Sequence, residues 1–239
     1  MAKIKEYFED LKVIHNSIPR TQCSQKNDCC KAGCPPLYYV EFLYLLDYFN
    51  SKLDLNKKRE ILNRCIDNYF SIDIIKPCPL FDNGCLLYNA RPVNCRVYGI
   101  IPNCEYIERR KRGSNQFTMS AKEIKKKMGL NKIEDVPLYT QCECVKIVED
   151  GKEKKEKMSL VLYHDIFDKL SEIEGKILSD FNVRNSNNSY KTFHDHYLFE
   201  LVGEAVLEKW TAVKIAVGND VILAKDIANK MKNNLKIKD

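Results

Sequence analysis

The alternation of apolar and polar positions reads as a series of helices separated by turn-rich stretches. Ile4, Phe8, Leu11 and Ile14 recur at three- and four-residue steps, predicting an amphipathic helix that ends before Pro19 and lies over the cysteine-bearing core. Tyr38 to Leu53 and Asn56 to Phe70 repeat that period, the second with Ile61, Leu62, Cys65, Ile66 and Tyr69 on one face. Cys65 thus reads as a small buried hydrophobe inside an apolar stripe. Ser120 and Glu123 form a capping-box pair for a helix over Ser120 to Met128, which Gly129 stops. Three further faces follow: Leu162, Ile166, Phe167, Leu170, Ile173 and Ile177; then Tyr197, Leu198, Leu201, Val202, Ala205 and Val206; then Val221, Ala224, Ile227, Ala228, Met231 and Leu235. Val145 to Val148 is predicted to pair as a short strand or hairpin.

Between the helices lie two segments with no regular pattern. RTQCSQKNDCCKAGCPP holds Cys23, Cys29, Cys30 and Cys34, and KPCPLFDNGCLLYNARPVNCRVYG holds Cys78, Cys85 and Cys95 among Pro77, Pro79, the Asn83-Gly84 pair and Pro92. Segments so rich in turn residues present thiols rather than build a core. Cys104 opens a short charged helix that Gly113 stops, and Cys142 and Cys144 precede the predicted strand. The expected architecture is mainly α with little β, its irregular cysteine-rich core organised by metal and surrounded by helices. Residues 1–148 are expected to form a cysteine-cluster domain with its N-terminal helix, 149–157 a charged linker, and 158–239 a helical region packed on the first.

Composition narrows the function classes. A chain of 239 residues with 44% hydrophobic residues buries a sizeable core. No signal or transit pattern opens the chain, and the most apolar run, Leu37 to Phe49, is too short to span a bilayer and contains Glu41 and Asp47. The expected location is cytoplasmic, with no membrane partner. Eleven cysteines in a reducing compartment point to metal or redox chemistry rather than to a disulfide framework. A net charge of +6 falls short of a dedicated nucleic-acid binder, so no nucleic-acid partner is expected. Arg109 to Arg112 and the lysine-rich tail from Lys225 to Lys238 read as solvated helix ends rather than as sites for RNA or an acidic partner. No phosphate-cradling glycine motif occurs. A radical S-adenosylmethionine pattern begun at Cys30 and Cys34 is not completed, because Leu37 stands at the third position. His194 and His196 lie two apart on a helix and point to different faces, so both are expected at the surface, and His15 and His164 on solvated or partly packed helix positions.

Thiolate sulfur suits zinc and iron–sulfur clusters alike. Structural zinc sites favour two short C-x2-4-C hooks, whereas a cluster needs a wider ring because its thiolates bind different irons. The intervals of five, six, nine and eight residues here favour a cluster. Eight candidate ligands lie from Cys23 to Cys104, namely Cys23, Cys29, Cys30, Cys34, Cys78, Cys85, Cys95 and Cys104; they imply two sites, or one site flanked by buried or redox-active thiols. Arg91 and Arg96 are candidates for the counter-charge, donating N–H groups toward sulfur. They are equally candidates for surface ion pairs, or for binding a carboxylate or phosphate substrate.

The second segment resembles the YkgJ-type cysteine-cluster family, described as zinc- or iron-chelating. Cys78, Leu80, Gly84, Cys85, Tyr88, Arg91, Pro92, Cys95, Arg96 and Tyr98 follow that family's C-x-L-x4-G-x-C-x-x-Y-x-x-R-P-x-x-C-R-x-Y pattern, with a slightly different turn before Cys85. The upstream segment keeps the adjacent Cys29-Cys30 pair, lacks the regular C-x2-C, and adds Cys34. The resemblance spans Cys23 to Gly99 and implies metal or cluster binding without supplying a reaction. Relatives of the family include flagellin lysine methylases. The expected function is therefore a metal-binding protein with an iron–sulfur cluster of the 4Fe–4S type, at one site or two, in a redox or cluster-dependent role with a redox or protein partner. Two alternatives stand beside it: a zinc-stabilised protein-interaction module, and a methyltransferase-like enzyme.

Overall fold

The computed structural model describes residues 2–23, 28–71, 76–109, 111, 145–154, 156–181, 190–217 and 221–235. The helix expected over Ser120 to Met128, Cys142 and Cys144 lie outside the described residues, as does the side chain of Cys23. The fold is mainly α, with a few short antiparallel strands. In order, the elements are α1 (Ala2–Ser17), β1 (Thr21–Cys23), α2 (Asp28–Ala32), β2 (Pro36–Tyr38), α3 (Tyr39–Lys52) and α4 (Leu55–Phe70). A 3-10 turn (Tyr88–Ala90) and α5 (Val93–Val97) follow, then a helix over 103–109, α6. The remainder is β3 (Val145–Glu149), β4 (Lys152–Lys154), α7 (Leu160–Asp180), β5 (Tyr190–Thr192), α8 (Phe193–Val202), α9 (Glu204–Val217) and α10 (Val221–Asn234).

The central helix is α3, because it contributes to both apolar clusters. Phe42, Leu45 and Phe49 pack with Ile61, Leu62 and Ile66 of α4, Phe193 and Leu198 of α8, Trp210 of α9 and Ala228 of α10. Val40 instead joins Leu11 and Ile14 of α1, Val93 and Val97 of α5, and Ile166, Leu170 and Ile177 of α7. Phe42 and Val40 are 0% exposed. Each side chain buried in this way contributes about 1.5–3 kcal/mol, so these contacts outweigh the exposed ion pairs on α1 and α7, such as Lys169 with Asp165. Cys65 is fully buried in the first cluster, as its place in the apolar stripe predicts.

Two buried carboxylates fix the start of α3. Glu41 accepts from the N–H of Tyr38 at 3.0 Å and from that of Val93, the first residue of α5, at 2.5 Å. Glu174 of α7 accepts from the N–H groups of Tyr39 and Val40, each at 2.9 Å. Helix starts leave orphan donors that favour negative charge, so both carboxylates meet the positive end of α3 and tie α5 and α7 to it.

The strands are short and pair over long distances in the chain. β3 joins β1 in antiparallel register, Cys23 opposite Val145, and turns into β4 through Asp150 and Gly151 at φ 50° and 75°. Asp-Gly with positive φ at both central residues is the tight hairpin turn that matches strand twist. The charged run from Glu149 to Lys157, expected as a linker, therefore carries a hairpin turn and β4. β2 pairs with β5, Leu37 opposite Lys191. Helices on either side of that run pack on one another, α1 on α7 and α4 on α8 and α10.

The apolar face predicted to run from Tyr197 through Val206 is divided into two helices. Gly203 has φ 78° and ψ 164°, a conformation left almost entirely to glycine; its N–H closes α8 on Phe199 O at 2.9 Å, and its carbonyl accepts from Leu207 in α9. The division lets Trp210 of α9 turn back onto Tyr69 and Phe70, with ring centroids 5.9 and 5.6 Å apart. Among the described residues, no helix is long and apolar enough to cross a membrane.

Candidate metal centre

The second cysteine segment folds into a compact sequence of turns. Cys78 donates its backbone N–H to Cys30 O at 2.8 Å, which joins the two segments directly. Phe81 and Cys85 form an isolated antiparallel bridge around Asn83, whose φ of 52° is a left-handed conformation that asparagine tolerates. Pro92 caps α5, and its carbonyl accepts from the N–H groups of Cys95 at 2.9 Å and Arg96 at 3.1 Å. Cys34 and Cys78 pack against the α3–α4–α8 cluster, while Cys95 sits on α5 between Val93 and Val97 of the other. Cys34 and Cys78 therefore border one apolar cluster and Cys95 the other.

Six of the eight expected ligands come together: Cys29, Cys30, Cys34, Cys78, Cys85 and Cys95. The Cys29 and Cys30 sulfurs are 3.9 Å apart. The Cys30 thiol donates to Cys29, which together with the backbone N–H of Cys30 and the Arg91 charge holds Cys29 down at about 6 against the opposing effect of burial. Cys30 keeps its proton and is pushed up correspondingly. Cys34 and Cys78 shift each other in the same sense, Cys34 raised and Cys78 lowered chiefly by their proximity, while the Cys34 Sγ donates to Pro35 O at 3.7 Å; the backbone N–H of Phe193, at the start of α8, also points to Cys34. Burial raises Cys85 to about 11 and pushes Cys95 well up, with Cys78 as a neighbouring negative charge for both. Among the described residues, no three His, Cys, Asp or Glu side chains are already closed around a single ion position.

Of the other two expected ligands, Cys104 stands apart, and the side chain of Cys23 lies outside the described residues. Cys104 is exposed on α6 and is not among the dominant electrostatic neighbours of the six. Cys23 ends β1 opposite Val145.

The two arginines of the motif have different partners. Arg96 is turned into the backbone, its Nε donating to Arg91 O at 2.7 Å and its Nη2 to Asn89 O at 2.6 Å. Arg91 stacks on the Tyr88 ring at 3.6 Å, donates Nε to Tyr88 O at 3.1 Å, and places its charge near Cys29, Cys85 and Cys95. Arg96 shapes the turn that carries Arg91, and Arg91 faces the thiols. Among the described residues, neither contacts a surface carboxylate.

Searches against protein-family models, curated proteins and solved structures found no match. What the chain does is therefore read from the thiol group. Six sulfurs of soft donor character, two of them held toward the thiolate by their neighbours and one cation beside them, suit a thiophilic metal. The remaining thiols must lose protons to bind one, so binding releases protons and tightens as pH rises.

Three neighbouring features were not expected from the sequence. Glu41 positions α5 and hence Cys95, and the only hint of it was a charge inside an apolar run. His196, expected at the surface, is buried; its ring stacks on Phe42 at 4.9 Å and its Nε2 lies 3.3 Å from Leu37 O. His15, expected on a solvated or partly packed position, is also buried and lies edge-on to Tyr44. A neutral imidazole behaves as an aromatic ring, which is why helix spacing alone misplaces both.

Proposed function

We propose that this protein is a metal–thiolate protein whose centre is held by Cys29, Cys30, Cys34, Cys78, Cys85 and Cys95. The observation that supports the reading is that six part-buried cysteines from two separate segments are electrostatic neighbours, with the Cys29 and Cys30 sulfurs 3.9 Å apart and the Arg91 charge beside Cys29, Cys85 and Cys95. Zinc is the occupant that the sulfur spacing favours. Two thiolates bound tetrahedrally to one zinc at about 2.3 Å are about 3.8 Å apart, and Cys29 and Cys30 are 3.9 Å apart. Zinc here would supply folding free energy, joining the turns of the two segments.

The iron–sulfur cluster is the second reading, favoured by the presence of more than four thiols and by the wide intervals between them. A cubane takes one thiolate on each of four irons and holds those sulfurs farther apart than the 3.9 Å between Cys29 and Cys30, so in this arrangement it would use only one of the two. Anaerobic purification followed by metal analysis and a visible spectrum separates the two. Zinc in a colourless protein that unfolds on chelation is the expected result. Iron and sulfide with a broad visible absorption would replace zinc by the cluster, and a protein that binds neither after anaerobic loading would overturn both readings.

A further inference from the structure

One backbone contact selects which cysteines of the two segments can bond covalently. The N–H of Cys78 donates to Cys30 O at 2.8 Å, and among the described residues no other cysteine of one segment is hydrogen-bonded through its backbone to a cysteine of the other. Residues joined by such a bond have Cα atoms about 5–6 Å apart. A disulfide takes Cα atoms about 4.4–6.8 Å apart, so this pair lies within reach. Cys29 and Cys30 do not, although their sulfurs are only 3.9 Å apart. Neighbouring Cα atoms across a trans peptide are about 3.8 Å apart, below that range. Cys30 and Cys78 are both half-buried, and Cys78 is an electrostatic neighbour of Cys30.

We propose that Cys30 and Cys78 form a disulfide when the chain meets a hydroperoxide, so that a covalent bond takes over the link between the two segments. One of the two sulfurs attacks the O–O bond of hydrogen peroxide, keeps one oxygen as a sulfenic acid and releases the other as water. The second sulfur then attacks the sulfenic sulfur, the S–S bond forms, and the remaining oxygen leaves as water. Two thiols lose two electrons and two protons, and the peroxide becomes two waters. The bond encloses α3 and α4, and α3 is the helix that both apolar clusters share. A link across so long a loop restricts the unfolded chain, so the oxidised protein keeps its fold without metal. The pairing itself needs no metal. It meets the metal–thiolate reading only in the two sulfurs that both use, which makes oxidation and metal binding exclusive at this pair.

The test uses the full chain, purified without oxygen, loaded with zinc and treated with hydrogen peroxide in rising amounts up to a small excess. Disulfides are mapped by digestion and mass spectrometry, released zinc by a chromophoric chelator, and helicity by circular dichroism. The expected first event is a Cys30–Cys78 bond with loss of two of the eleven thiols, release of zinc and retained helicity, all reversed by a thiol reductant with added zinc. Absence of that bond, whether or not zinc is released, overturns the proposal and leaves the metal–thiolate reading standing. The bond in a chain that took up no zinc supports the pairing and overturns that reading. A bond from Cys78 to Cys29 or Cys34 instead overturns the choice of Cys30, and loss of helicity on oxidation overturns the role of the bond as the substitute link. A Cys30→Ser variant is expected to lose the bond to Cys78, and the wild-type map decides even where that variant does not fold.

Discussion

Replacing Glu41 with Gln removes a titration that the fold itself creates. The carboxyl is moved from its ordinary 4.5 to about 7, chiefly by burial and further by Glu174, against the N–H groups of Val93 and Tyr38 and the Arg96 charge. At 1.36 kcal/mol per pH unit, that distance is worth about 3 kcal/mol. The folded state holds this proton more tightly than the unfolded chain. The contribution is therefore fully present below 4.5, is lost as pH rises toward 7, and is absent above it. His15 and His196 act in the opposite sense, since burial lowers them to about 3 and about 4; their contribution is present above their ordinary 6.5 and lost on acidification. The wild-type profile mixes these trends, and only the difference between wild type and E41Q isolates Glu41. Urea unfolding followed by circular dichroism between pH 4 and pH 8 measures it. The stability of the wild type relative to E41Q is expected to fall by about 3 kcal/mol across that range. A difference that is flat, or that rises with pH, would refute the assignment of Glu41 as a buried, proton-retaining carboxyl. Because Glu41 also holds the Val93 N–H, E41Q is expected to weaken metal binding through α5 and Cys95 at every pH.

The arginines should respond differently to the same change. Arg91→Met is expected to leave the thermal midpoint near that of the wild type but to weaken metal affinity by about tenfold to a hundredfold in a competition titration, as the loss of groups next to metal ligands does. Arg96→Met leaves Arg91 O and Asn89 O without their donor and is expected to cost about 2–4 kcal/mol of stability by chemical denaturation. Equal effects of the two variants on both measurements would remove the distinction. Cys65→Ala leaves a small cavity in the α4 face and is expected to cost about 1–2 kcal/mol with no change in metal content; a lower metal-to-chain ratio would make Cys65 part of the centre.

The helices were legible because burial follows the helical period. α1, α3, α4, α7 and α10 lie where Leu11, Phe49, Ile61, Ile166 and Ala228 recur at three- and four-residue steps. That period does not record where a helix breaks while its apolar face continues. Gly203 breaks such a face through a backbone angle, and only the following turn of α9 brings Trp210 to its partners. Of the strands, the stretch from Val145 to Val148 was legible and forms β3 in a hairpin with β4, whereas β1, β2 and β5 were not. β1 and β2 have three residues each, and their partners β3 and β5 are more than a hundred residues away, so no local pattern marks their pairing.

The site divides along the same line between local and distant information. Turn residues and soft ligands in a short span were enough to single out Cys78, Cys85 and Cys95, because both are local properties. Whether an upstream cysteine joins them depends on a backbone contact such as Cys78 N–H to Cys30 O, which brings Cys29, Cys30 and Cys34 to the group. Cys104 has the same residue type and a comparable interval, yet α6 leaves it exposed. The arginines make the point more sharply. They are five residues apart in one motif, yet Arg96 holds two carbonyls of the turn and has Cys95 as its one thiol neighbour among the described residues, while Arg91 lies over Tyr88 beside Cys29, Cys85 and Cys95. The motif therefore encodes a scaffold and a charge in the same residue type, and it is the backbone turn around Pro92, held by Glu41 from α3, that assigns one role to each.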